Sequence, residues 1–447
     1  MLKGTGKLFI ALLLSFCASR SIAGDDTRSI RSDLKNPRKA EKLRTLAASS
    51  PVAARTLLFE AKDTNKTADY RCAALAALSA STDENVSFGI ADAVMDPDPV
   101  VQACAARVAA ETRNTGAVDA LTSNVAAYLY SAGRKGPYED NVRLRLKAIN
   151  SIWALGEIGS PKVGEALEKF YSEADDVLKV NLVIGLGKQA VSARSVEYIR
   201  NVAASDKESE AVRAAAFEML EEMGQEASVP GLAPSKSAGI EKGDLIYTGG
   251  IVGTIGSWGT TDLPVGHAGI FTGTETKDGR IYVLIGDCVP DGFIPPGVRN
   301  INLWKNFTHH FKFPYYGNRT SKARPSAAQR ERIVALALEL GKQGLKYSDS
   351  HFSQKGPKEF DCVGYTEYVY ELAGLNPTEN RYETGWGWPL TPWEQFEATV
   401  PNTAAALPLL AAAPETPREP GQAELELRKT AGVTFEVNKR ITPVRVY

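Results

Sequence analysis

Five alanine- and leucine-rich segments recur along the first half of the chain: YRCAALAALSA from residue 70, VVQACAARVAAE from 100, VRLRLKAINSIWALG from 142, VLKVNLVIGLGKQA from 177 and AVRAAAFEMLEEMG from 211. The interval is roughly 30 to 40 residues, and a helical pair of that length cannot bury its apolar face alone, so successive pairs must stack. Several segments follow acidic turns such as Asp96 to Pro99, and most are followed by a second apolar stretch at helical spacing. Cys72 and Cys104 fall at near-equivalent places in successive repeats and read as small buried residues rather than ligands. No catalytic cluster lies in this half. Its expected role is recognition or spacing, with a concave surface for a protein partner.

The pattern resembles HEAT repeats of a short, alanine-rich kind, which implies an all-α HEAT-like solenoid over residues 24–230. Ahead of it, Lys3 and Lys7, the apolar run LFIALLLSFCA and then Ser21-Ile22-Ala23 have the three-part layout of a signal peptide. Residues 1–23 are therefore set aside, and the chain is expected to be exported, to the periplasm or outside the cell. That run is too short to span a bilayer, and no later one approaches the roughly 18 apolar residues a transmembrane span needs. A net charge of −1 over 447 residues removes the electrostatic case for nucleic acid or an anionic membrane surface. Four cysteines remain after residue 23, too few for a disulfide-dense scaffold, which leaves room for a free thiol.

From residue 226 the stretch EASVPGLAPSKSAG reads as an interdomain linker, centred on 231–240, and then the period changes. DLIYTGG, GHAGIFTG and RIYVLIGDC are strand-like, with Asp278-Gly279 as a hairpin signal between the last two. Helices are expected from Ser326 to Leu340 and again from Cys362, giving an α+β domain with an antiparallel sheet over 241–400. Residues 401–447 open as an Ala/Pro-rich linker and end in GVTFEVNKRITPVRVY, which alternates enough for one or two strands.

Cys362, in EFDCVGYTEYVYELAGL, stands at a helix start, where unsatisfied N–H groups and the positive end of the helix dipole favour a thiolate. A small buried residue opening a core helix reads equally well there. A nucleophilic thiol needs a base, and the chain holds four histidines. His267 begins a strand-like run, where it could face a cleft or equally be satisfied at a strand end; His309 and His310 read as an exposed loop or edge strand, and His351 as a solvated loop residue. If Thr272 pairs with Tyr282, His267 lies directly opposite Asp287 on one face of the hairpin. A tight turn at Asp278-Gly279 would instead shift that pairing by about three residues unless a bulge or a longer loop intervenes. Asp287 also reads as a turn residue before Cys288-Val289-Pro290, and Cys288 as packing on the other face.

KGDLIYTGG, VGHAGIF, GLKYSDSHF and EFDCVGYTEYVYELAGL resemble the NlpC/P60 superfamily of papain-like cysteine hydrolases, with Val363 where the D-C-S-G signature has serine. The order His267, Asp287, Cys362 is similar to its circularly permuted, YiiX-like branch. The resemblance implies a Cys362 nucleophile, a His267 base, Asp287 as orienting group and Tyr347 in support of the oxyanion region, with no cofactor and no metal. With export, it points to a thiol hydrolase of peptide bonds in cell-wall peptidoglycan. Lipid esters or amides as substrates, and a non-catalytic binding role, stay open at this stage.

Overall fold

The computed structural model describes residues 27–132, 138–189, 193–236, 239–249, 265–290, 297–300, 304–348, 355–379 and 390–402. A helical part is followed by an α+β part built on an antiparallel six-stranded sheet. The expected signal segment, His351 and the tail from 403 lie outside the described residues.

In the helical part, α1 (Ala40–Ser49), α3 (Ala68–Leu78), α5 (Pro99–Glu111), α7 (Tyr138–Ile158), α9 (Asp176–Lys188) and α11 (Glu210–Glu222) pack in succession as one row. A second row holds α2 (Pro51–Lys62), α4 (Glu84–Ala93), α6 (Val118–Ala132) and α8 (Pro161–Tyr171), and α10 (Ala193–Ala204) packs on α9 and α11. The starts are set by short polar side chains: Ser50, Thr67, Asp83, Asp98, Ser160, Asp175 and Ser209 each accept a backbone N–H of the first turn. Cys72 and Cys104 depart from their expected role as separate packing residues. They form a disulfide, with Cα atoms 5.6 Å apart. Equivalence in successive repeats is itself the reason, because stacking brings such positions face to face.

The sheet runs β4-β3-β2-β1-β5-β8, with β1 (Leu245–Thr248), β2 (His267–Lys277), β3 (Arg280–Val289), β4 (Gly297–Arg299), β5 (Tyr315–Thr320) and β8 (Val400–Pro401). Asp278 and Gly279 both have positive φ, as the tight hairpin requires, so pairing starts at Lys277↔Arg280. A bulge between Phe271 and Gly273 then resets it to Ile270↔Gly286. The Thr272–Tyr282 register is therefore wrong, and His267 does not lie directly across from Asp287. The displacement from that register is an even number of residues at the site end, so both side chains still share a face.

Gly286 looks onto Tyr365 and Ala337, of the helices α14 (Cys362–Leu372) and α13 (Ala327–Gly341). Gly269 looks the other way, onto Ile285 and onto Phe307 of the short helix α12 (Trp304–Phe307). The helical part closes on this second side. Trp304 donates its indole N–H to Ala211 O at 2.9 Å, and Arg280 contacts Glu218 and Glu221 of α11. The Asn181 amide of α9 bonds both backbone groups of Tyr315, at 2.7 and 2.9 Å. With both faces covered, β1 is buried along its whole length. The expected linker is irregular chain tied down on both sides, by Val229 N–H on Gly279 O and by Arg213 on Ala233 O.

Candidate active site

Helix α14 begins at Cys362 because Asp361 caps it, its Oδ1 accepting the Gly364 N–H at 2.7 Å, and it stops at Gly374 with φ of 80°. The thiol is thus held at a helix N-terminus by backbone geometry. It is 7% exposed. Backbone N–H groups of Val363, in its own helix, and of Ala268, at the start of β2, lie near enough to pull its pKa down. The sulfur is thus in the neighbourhood of the residue that follows His267.

Beyond Ile270↔Gly286 the strand β3 pairs with β4 instead, Asp287 standing directly across from Arg299. At this junction His267 Nε2 lies 3.0 Å from Asp287 Oδ2. Arg299 grips the same carboxylate with both arms, Nε to Oδ1 at 2.7 Å and Nη2 to Oδ2 at 3.0 Å. Asp287 is fully buried, in a strand rather than a turn. Burial pushes its carboxyl up, but the Arg299 charge, with hydrogen bonds from His267 and Arg299, outweighs that and holds it below the usual range. An ionised Asp287 accepts from Nε2–H, so the ring nitrogen left to accept a proton is Nδ1.

Burial also pushes the Cys362 thiol up, and the charge of Asp361 adds to it; the Ala268 and Val363 N–H groups pull the other way without reversing it, and Asp287 adds a smaller upward push. The resting sulfur is therefore a protonated thiol that needs a base. Cys288 is buried with its S–H on Phe360 O at 3.1 Å, as packing. Tyr347 sits in β6 (Lys346–Tyr347), paired with Phe360 of β7 (Glu359–Phe360), two residues ahead of Cys362.

A cleft opens on the His267 side, lined by Val289, Arg299, Asn306, Phe307, His309 and Phe313 among others. The Phe307 ring packs on His267 with centroids 5.2 Å apart. His309 is thus a half-buried wall residue, not a fully exposed one, while His310 is exposed. Burial, then the cations of Lys312, His267, His310 and Arg299, lower its pKa. His309, His310 and Phe311 all have φ between 55° and 59°, a left-handed turn rare for residues with side chains.

Arg299 was not singled out in the sequence, where the only signal is one cation beside Val298 in a run that also holds Ile301 and Leu303. Among the described residues no group of three or more His, Cys, Asp or Glu side chains is gathered as metal ligands would be. None of the described helices is long and apolar enough to cross a membrane. No family model, curated protein or solved structure matches the chain.

Proposed function

We propose that the chain is an exported thiol hydrolase of amide bonds, with a HEAT-like solenoid docked on a permuted papain-like domain of the NlpC/P60 kind and peptidoglycan peptides as its substrate. What supports this reading is Cys362 at a capped helix N-terminus near Ala268, together with His267, the preceding residue of β2, held by Asp287 through Nε2; the approach of Nδ1 to the sulfur belongs to the proposal. His267 Nδ1 takes the thiol proton and the sulfur attacks the carbonyl carbon. Backbone N–H groups at the helix start and at Ala268, close to the sulfur, are the donors that would hold the oxyanion in this reading. His267 then returns the proton to the leaving amine, and water, deprotonated by the same imidazole, releases the acyl group. The Cys72–Cys104 disulfide supports export, since such bonds persist in oxidising compartments.

Alkylation of Cys362 by iodoacetamide from pH 5 to 10, read by mass spectrometry, tests the proposal. Wild type is expected to label at neutral pH, and His267→Ala only in the alkaline range to which burial moves an unassisted thiol. The second reading is a binding protein on the same scaffold, favoured by the burial of Cys362. A thiol that stays unlabelled, or whose profile ignores His267, decides for it.

A further inference from the structure

Asp287 is the most enclosed charged group of the site, and its carboxylate meets side chains from two different strands, His267 on β2 and Arg299 on β4. We propose that Arg299 is a positioning residue which, by clamping Asp287 as an ionised acceptor, fixes the tautomer of His267 that leaves Nδ1 open to the thiol. This deepens the hydrolase reading and rests on it.

The place of the proton on the imidazole depends on the charge of Asp287. An ionised Asp287 can only accept, so it holds the hydrogen on Nε2 and leaves the Nδ1 lone pair for the Cys362 proton. A protonated Asp287 donates its own O–H to Nε2, which moves the ring hydrogen to Nδ1, and that nitrogen can then take nothing from sulfur. Which state prevails depends on how the cost of burying the carboxylate is met. Burial is the largest influence on it, and the Arg299 cation is the largest opposing one, ahead of His267. The thiols near it, Cys362 and Cys288, either leave its charge unopposed or, when ionised, repel it. Tyr365 on α14 is held neutral by burial. His309, across the cleft near His267 and Arg299, has its cationic form disfavoured by burial and by those neighbours. Arg299 is therefore the group that keeps Asp287 charged through the acid range. Its paired geometry also fixes the plane of the carboxylate, and with it the direction of the bond to Nε2.

Cys362 alkylation rates from pH 5 to 10 in wild type, Arg299→Met, Arg299→Lys, Asp287→Asn and Arg299→Met/Asp287→Asn decide the matter, with thermal melts to verify folding. In Arg299→Met the acid limb is expected to move up by one pH unit or more, a tenfold or greater loss of rate near pH 6, with little change at pH 9. Arg299→Lys should fall between Met and wild type. Asp287→Asn should slow labelling at least tenfold across the neutral range, and the double variant should be no slower, because there is then no carboxylate at residue 287 for Arg299 to clamp. An Arg299→Met profile superimposed on wild type overturns the proposal. So does a loss uniform in pH that lysine does not relieve, or effects that multiply in the double variant. Should Arg299→Met not fold, Arg299→Lys with and without Asp287→Asn takes its place: an upward-moved limb only where Asp287 is present supports the role, and an unmoved one removes it. If wild-type Cys362 itself fails to label through His267, the hydrolase reading falls first; if it labels and the Arg299 variants are unmoved, only this inference falls.

Discussion

Replacing Glu218 with glutamine isolates what a buried charge does at the seam between the helical part and the sheet. Glu218 is 1% exposed on α11, with Arg280 Nη2 3.1 Å from its Oε2, yet neither carboxylate oxygen has an aligned hydrogen bond among the described residues. Burial pushes its carboxyl up to about 7, against a downward pull from Arg280, a further push from Glu221 and a pull from Lys305. The reference carboxyl stands at 4.5. A folded-state value above the unfolded one means the fold holds the proton more tightly. The group's contribution is then present in full below about pH 4.5 and is lost as pH rises through about 7. That difference of about 2.5 units corresponds to roughly 3 kcal/mol. Glu218→Gln keeps the shape without the charge, so it should match wild type near pH 4.5 and melt a few degrees higher at pH 8, at about 2 °C or less per kcal/mol for a chain this long. Thermal melts by circular dichroism at fixed ionic strength from pH 4.5 to 8.5 read the difference. A glutamine variant that melts lower than wild type at pH 8 would show that attraction to Arg280 exceeds the desolvation cost, and would refute the reasoning.

Three further variants test the frame of the molecule. Asn181→Ala strips both backbone partners from Tyr315 and should cost roughly 1 to 3 kcal/mol for each buried group left unmet, seen as a lower urea midpoint. Gly286→Ala places a methyl 2.6 Å from the Tyr365 hydroxyl and 2.8 Å from Asn300 Oδ1, with an expected loss of roughly 1 to 3 kcal/mol and slower Cys362 labelling through the neighbouring Asp287. Cys72→Ala/Cys104→Ala removes a cross-link over a separation of 32 residues and should cost roughly 3 to 4 kcal/mol, with reductant lowering the melting midpoint of wild type but not of the variant.

What was legible in the sequence was whatever a few neighbouring residues settle. Asp278-Gly279 specified the hairpin, Ser326 the start of α13, and Gly374 the end of α14, because turns and caps are local chemistry. Apolar periodicity separated the helical half from the sheet half for the same reason. The bulge at Thr272 was not legible: a one-residue offset leaves no mark in an alternating run, and it was enough to change which residues face each other. Arg299 stands in a three-residue strand with no periodicity to read, so its hold on Asp287 depends wholly on tertiary pairing. The Cys72–Cys104 bond and the contacts of Asn181 and Glu218 with the sheet likewise need the third dimension, since in sequence they read as ordinary helix residues.

The Asn181 contact reaches further than stability. On the side of β5 away from β1, β8 covers Arg319 and Thr320, and the Asn181 amide meets the donor and acceptor of Tyr315 as an adjoining strand would. An uncovered row of such groups is a template on which another molecule's strand can add. A helix side chain here finishes the border of a sheet, so a chain cut before residue 241 would carry the same strands into solution with one border open, and self-association is the outcome to watch for.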